Sequence, residues 1–259
     1  MPEEWGWEMA AVITVYLLIH FAIQFGFFLK YLRLVKFIRQ PADRLIHIVE
    51  EASARLGVGA RATWQMAGVQ AAAFAFPTTN ELVFSDRLLE ICTDEEIAAV
   101  CAHEMSHLTE ARSVLAGRLL GSLILFPFIF INPLIHLSGI FGLFVTYSGV
   151  FVLIRFTRWL SQRMEKRADQ FAVSNQLNEG VYARALEKIY RENSIPAVNI
   201  NNKQTHPHLY DRMVAAGITP DYPRPAKAQR LTWIGFIYAA AFGFLFVAVA
   251  LRGVFDTTR

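Results

Sequence analysis

The longest uncharged segments constrain the fold of this chain most strongly. Residues 119–154 contain no Asp, Glu, Lys or Arg, and residues 9–29 and 232–251 are uncharged as well. About 20 apolar residues in a helix span the roughly 30 Å hydrocarbon core of a bilayer. Only 18% of the chain is charged, whereas soluble domains are about a quarter charged. The pattern predicts an integral membrane protein.

We expect about four transmembrane helices. Residues 119–154 are too long for one span, so Asn132-Pro133 is expected to separate two spans; a hairpin that dips only partly into the bilayer is the alternative. Basic residues flank the predicted spans on one side: Lys30, Arg33, Lys36 and Arg39; Arg155, Arg158, Arg163, Lys166 and Arg167; Arg224, Lys227 and Arg230. The positive-inside rule then places the N-terminus outside and the polar parts in the cytoplasm.

These spans divide the chain into five predicted parts. Residues 1–29 contain the first span, residues 115–154 the hairpin, and residues 231–259 the fourth span and tail. Residues 30–114 and 155–230 are polar, and neither looks like a complete domain, so we expect them to fold together at the membrane surface. Their basic residues fit lipid headgroups and do not predict a nucleic-acid surface.

Local patterns predict the elements of the polar parts. Apolar spacing in residues 43–56, followed by Gly57, predicts an amphipathic helix. The runs "VQAAAFAFP" and "NELVFS", separated by a turn at residues 77–80, predict a hairpin or small sheet. Thr93 and Glu96 form a capping-box pattern that opens a helix, which we expect to reach at least Arg112. The fold class is therefore mainly α with a small sheet.

The sequence H-E-x-x-H at residues 103–107 is the main candidate for a metal site. His103 and His107 share one helix face and can bind a single ion, while Glu104 can act as a base. A catalytic zinc ion needs a third protein ligand. Glu165 in "SQRMEKRADQFA" can supply it, and Asp169, one turn later, can accept a hydrogen bond from a ligating histidine. Cys92 and Cys101 are expected to be free, buried thiols.

Three ordered motifs resemble the HtpX-type and CAAX-prenyl-protease-type membrane metallopeptidases. They are "TDEEIAAVCAHEMSHL", the S-x-x-x-E-x-x-A-D pattern that starts at Ser161, and the H-P-x-x-x-x-R pattern from His206 to Arg212. The resemblance covers residues 40–215, and it implies a zincin-type catalytic domain with a distinct role for each motif residue. Zinc would be bound by His103, His107 and Glu165, with Glu104 as base, His206 stabilising the oxyanion, and Asp169 and Arg212 supporting the site. His208 is an alternative to His206.

Two positions depart from the family pattern. Gln162 stands where the family often has Arg. The family's strand motif N-A-F-A corresponds here to Ala72, Ala73, Phe74 and Ala75, so the side-chain hydrogen bonds of its asparagine are lost. Backbone groups of residues 72–76 can still pair with an extended peptide substrate.

The predicted function is a zinc-dependent endopeptidase that cleaves membrane or misfolded proteins at the cytoplasmic surface of a bacterial inner membrane. Processing of a prenylated peptide is an equally open substrate class, because no residue of the sequence favours one class over the other. A protease with H-E-x-x-H inside a span is disfavoured, because Asp94, Glu95, Glu96, Glu110 and Arg112 surround the motif. A non-catalytic membrane scaffold or sensor, stabilised by zinc, is the second rival.

Overall fold

The computed structural model describes residues 4–195, 208–224 and 237. The chain forms two compact units: residues 1–199 with 203–225, and residues 200–202 with 226–259. In the first unit the described residues are mainly helical and include one small mixed sheet, as predicted. In the second unit the structure describes only Ile237, which is helical and exposed.

The elements of the first unit follow one another along the chain. Its helices are α1 (Glu4–Gln24), α2 (Phe27–Leu34), α3 (Asp43–Leu56), α4 (Asp86–Ile91), α5 (Asp94–Leu108), α6 (Arg112–Ser122), a 3₁₀ helix (Leu123–Phe130), α7 (Ile131–Ser138), α8 (Ile140–Ser174), α9 (Val181–Glu192) and α10 (Leu209–Ala215). Its strands are β1 (Ile38–Arg39), β2 (Ala62–Met66), β3 (Ala73–Phe76) and β4 (Glu81–Ser85).

The four strands form one sheet in the order β1-β2-β4-β3. β2 and β4 are parallel, whereas β1 and β3 pair antiparallel to their neighbours. The predicted hairpin is present as β3 and β4, and β3 lies at an edge. The sequence patterns did not identify β1, which has only two residues. They did not identify β2 either, although Ala62, Trp64 and Met66 alternate there with polar Thr63 and Gln65.

Helices cover both faces of the sheet. On one face, α3 and α5 pack against Leu82 and Phe84, which are fully buried. On the other face, Leu29 of α2 packs against Val83, and the guanidinium of Arg33 lies 4.8 Å from the centroid of the Trp64 ring. The sheet is therefore held between the helix that carries H-E-x-x-H and the helix that follows the first apolar segment.

Local capping explains where α3 and α5 begin or end. Gly57 follows α3 with φ of 66°, a conformation that costs glycine little. At the start of α5, the amide of Glu96 donates to Thr93 Oγ1 at 3.4 Å, and Glu96 Oε2 accepts from the amide of Thr93 at 2.8 Å. Both predicted caps are confirmed.

The predicted extension of α5 to Arg112 is wrong. The helix ends at Leu108, and a new helix begins at Arg112. The hydroxyl of Thr109 donates to the carbonyl of Ser106 at 2.8 Å, a local side-chain bond that competes with continuation of the helix. Glu110 consequently lies in a turn directly after the H-E-x-x-H motif.

The membrane segments differ from the four predicted spans. Among the described residues, only α8 is by itself long and apolar enough to cross a membrane; residues 10–23 and α2 pass the same test only as a pair bent by 74°. The predicted hairpin at residues 115–154 contains α6, the 3₁₀ helix, α7 and the start of α8. Of the predicted fourth span, the structure describes only Ile237. Four transmembrane helices are therefore not confirmed.

The α8 helix runs without interruption across the predicted boundary between residues 154 and 155. Its first part, residues 140–154, is uncharged, and its second part carries Glu165 and Asp169. Because one helix contains both parts, the position of Glu165 is rigidly coupled to the apolar segment.

Candidate metal centre

His103, His107 and Glu165 meet between α5 and α8. One potential ligand atom from each residue lies within 4.8 Å of the other two. Nε2 of His103 is 3.6 Å from the Glu165 carboxylate, and Nε2 of His107 is 3.8 Å from it. Two imidazole nitrogens and one carboxylate are a donor set typical of catalytic zinc, which keeps a fourth position open for water.

Helix geometry and packing bring these three side chains together. The histidines are one turn apart on α5, so both rings project from the same face, and α5 packs directly against α8. Both histidines are buried, so the protein restricts their rotamers. Glu104, half-buried on the same helix, is adjacent in sequence to the first ligand candidate.

Tyr182 connects His103 to a buried ion pair. Its hydroxyl donates to Asp169 Oδ1 at 2.6 Å and lies 2.8 Å from His103 Nδ1. Arg212 donates to both Asp169 oxygens at 2.7 and 2.8 Å, and to the Tyr182 oxygen at 2.9 Å. Because the phenol's one proton goes to Asp169, its oxygen accepts from Nδ1–H of His103. The network therefore favours the tautomer whose Nε2 lone pair faces Glu165.

Charge and burial shift the pKa values of this network in opposite directions. Burial opposes the ionised form of Asp169, but the hydrogen bond with His103 and the charge of Arg212 hold its pKa well below the usual range. Burial also lowers the pKa of His103, yet contacts with Asp169 and Glu165 raise it to about 9. Burial raises the pKa of Tyr182 well above 10, so the phenol keeps its proton. A metal ion competes with the proton on His103, and its binding releases that proton.

Glu110 orients the second histidine. Its Oε1 lies 2.8 Å from Nδ1 of His107, and its side chain is almost completely buried. A proton on Nδ1 then leaves Nε2 available for a metal ion. Each histidine of the motif thus has an oxygen partner on its far nitrogen, the arrangement that supports metal-binding histidines in proteins.

The remaining predicted site residues lie at different places relative to the metal centre. Arg212 lies at the site, bound to Asp169, whereas His206 falls outside the described residues. The alternative, His208, immediately precedes α10. Ala72 precedes β3, and Ala73, Phe74 and Ala75 belong to it; α5 packs against this strand.

Sequence reasoning missed Tyr182 and Glu110. Tyr182 is 79 positions from His103 in the chain, and no motif spacing connects them. Glu110 is only three positions after His107, so the turn that follows α5 brings its carboxylate close to the imidazole. That spacing was an available signal, but Glu110 was interpreted only as a charge that disfavours a membrane position.

Comparison with known families agrees with this geometry. The model of Peptidase family M48 matches residues 39–217, which include every predicted site residue. No curated protein matches the chain. The matched range covers more than half of the 259 residues, and the members of the family are metallopeptidases. The chain, with His103, His107 and Glu165 gathered as a metal-binding group, belongs to Peptidase family M48.

Proposed function

We propose that this protein is a zinc-dependent membrane endopeptidase, which cleaves peptide bonds of membrane or misfolded proteins at the cytoplasmic surface. The observation that carries the proposal is the convergence of His103, His107 and Glu165 within 4.8 Å, next to Glu104. Family membership supports a metallopeptidase, and the two-histidine, one-carboxylate donor set supports zinc.

The residues of the site have distinct roles in this proposal. Bound zinc would supply a Lewis acid that polarises the scissile carbonyl and lowers the pKa of a water to about 7. Glu104 accepts a proton from the attacking water and transfers it to the leaving amine. His206 donates a hydrogen bond to the oxyanion that forms on the carbonyl. Tyr182 and Glu110 keep the two histidines in orientation.

The free edge of β3 supports an extended polypeptide as substrate. Among the described residues β3 pairs with β4 alone, so its other edge can add a strand. Phe74 is 45% exposed on this strand, whereas Ala73 and Ala75 pack towards the core. Main-chain pairing selects an extended backbone more than a particular side chain, which suits misfolded proteins of varied sequence.

The α8 helix supports a site near a membrane surface. Its uncharged first part exposes large apolar side chains, among them Ile140, Phe141 and Phe144, which a bilayer would cover. Glu165 follows Ile154, the last residue of that part, by 11 positions, about 16 Å along a helix. The basic residues after the apolar part favour a cytoplasmic position for the site, and we propose a bacterial inner membrane as its location.

A cleavage assay with a matched control tests the proposal. Wild type, Glu104→Gln and Glu95→Gln would be purified in detergent without chelators and assayed for zinc and for degradation of unfolded casein. Glu95 is an exposed acid on the same helix. We expect zinc in all three proteins and cleavage by wild type and Glu95→Gln only. Zinc in all three with cleavage by none would favour the non-catalytic scaffold or sensor.

A further inference from the structure

The side chain of Asn193 holds the backbone just before the edge strand. Its Oδ1 accepts from the amide of Ala71 at 2.9 Å, and its Nδ2 donates to the carbonyl of Ala71 at 2.8 Å. The two residues are 122 positions apart, and Ala71 is 1% exposed. One carboxamide therefore satisfies both backbone groups of a buried residue, as a neighbouring strand would.

Ala72, the next residue, connects the start of β3 to β4. The amide of Ala72 donates to Ser85 Oγ at 2.9 Å, and the amide of Ser85 donates to the carbonyl of Ala72 at 2.9 Å. Bonding alternates along an antiparallel pair. The backbone amide and carbonyl of Ala72 point towards β4. Those of Ala73 and Ala75 therefore point towards the other edge of β3. The position of those groups thus depends on how Ala71 and Ala72 are held.

A helix cap holds Asn193 itself in place. Asn193 follows the last residue of α9, where the amide of Ser194 donates to the carbonyl of Arg191 at 3.2 Å and the amide of Ile195 to that of Tyr190 at 2.9 Å. Ser194 has φ of 52°. These are the two bonds of a Schellman motif, with serine in the place where glycine is usual. The cap fixes the backbone from which the Asn193 carboxamide extends.

The opposite end of α9 contacts the candidate metal centre. Tyr182, the second residue of α9, lies 2.8 Å from His103 Nδ1. Asn193 lies eleven positions after Tyr182, about 16 Å along a helix. A single helix therefore connects the orientation of a metal-binding imidazole with the start of the edge strand.

We infer that Asn193 is a positioning residue for substrate binding, which sets the free edge of β3 relative to His103 and its neighbours. The inference rests on the proposed function, because it assumes that an extended peptide pairs with β3. Loss of the carboxamide frees Ala71 and lets the edge strand move, while the metal-binding side chains stay in place. Substrate affinity falls as a result, and the chemical step is unchanged.

The test compares Asn193→Ala with Asn175→Ala in the full chain. Asn175 also follows a helix, α8, but its side-chain amide donates to the carbonyl of Phe171 in that same helix at 2.8 Å. For Asn193→Ala we expect a rise in KM of about tenfold for a fluorogenic peptide, with kcat within about twofold. Hydrogen exchange of residues 71–76 should accelerate, while zinc content and exchange in α5 stay at wild-type values. Asn175→Ala should match wild type in KM and in the exchange of residues 71–76.

A second, more conservative variant controls for misfolding of Asn193→Ala. Asn193→Asp keeps the acceptor for the Ala71 amide and loses the donor to its carbonyl, so the same direction of change is expected. Unchanged KM and unchanged exchange of residues 71–76 in a folded variant would overturn the inference, as would a fall in kcat accompanied by loss of zinc. If the wild type binds zinc and cleaves nothing, the proposed function fails, and the exchange of residues 71–76 alone decides whether Asn193 positions the strand.

Discussion

The phenolic oxygen of Tyr182 lies 2.8 Å from Nδ1 of His103, and the same hydroxyl donates to Asp169. The tyrosine thus stands between a candidate metal ligand and the carboxylate that the motif resemblance assigns to support it. Asp169 Oδ1 is itself 3.2 Å from His103 Nδ1, so the tyrosine oxygen and the carboxylate oxygen both lie near the same ring nitrogen. Arg212 neutralises the carboxylate and completes a buried network.

Tyr182→Phe should weaken zinc binding, because His103 loses the hydroxyl that helps to fix its tautomer. We expect the Kd for zinc to rise about 10- to 100-fold. The measurement is competition with a chelator of known affinity. Tyr190→Phe, the same substitution on the same helix, is the control and should bind zinc as the wild type does. Equal Kd values for all three proteins would show that the tyrosine does not orient the ligand.

Glu110→Ala should also weaken zinc binding, because His107 loses the carboxylate that fixes its orientation. The variant removes the only oxygen that the described residues place within hydrogen-bond distance of His107 Nδ1, and we expect about a tenfold rise in the Kd for zinc. Glu110→Gln keeps an acceptor oxygen, so its Kd should stay within a few-fold of wild type. A larger loss of affinity in Glu110→Gln than in Glu110→Ala would contradict an orienting role.

Glu165→Ala should abolish stoichiometric zinc binding, because two imidazoles alone leave the ion short of one protein ligand. Metal analysis after dialysis should find less than about a tenth of the wild-type zinc. Lys166→Ala changes the adjacent, exposed residue of α8 and should retain the ion. Full zinc content in Glu165→Ala would assign the third ligand to another residue.

Cys92 and Cys101 should resist alkylation in the folded protein. Both thiols are buried, and burial raises the pKa of each to about 12. At pH 8 only about one thiol in 10⁴ is then a thiolate, the reactive form. Mass spectrometry after iodoacetamide treatment should find neither residue modified until the protein is unfolded. Rapid labelling of Cys101 in folded protein would contradict its position in the core.

Elements with local signals could be predicted from the sequence. The α3 helix follows from its apolar spacing and Gly57, and the start of α5 follows from the exchange of hydrogen bonds between Thr93 and Glu96. β3 and β4 follow from two short apolar runs and the turn between them. In each case the residues that determine the element are its own or its immediate neighbours.

Elements that depend on distant packing could not be predicted. β1 has only two residues and is a strand because it pairs with β2, more than 25 positions later. Tyr182 and Asn193 gain their roles from contacts across 79 and 122 positions, which no spacing rule connects. The early end of α5 was missed for another reason: the hydroxyl of Thr109 outweighs a pattern that would allow the helix to continue.

X-ray absorption at the zinc edge of the purified wild-type protein tests the metal centre most directly. We predict one zinc ion per chain, with two imidazole nitrogens and oxygen ligands at about 2.0–2.2 Å. The zinc signal should be lost in His107→Ala, because this variant leaves only two protein ligands for the ion. A shell of sulfur at about 2.3 Å, or protein purified without chelators that holds no zinc, would contradict the account.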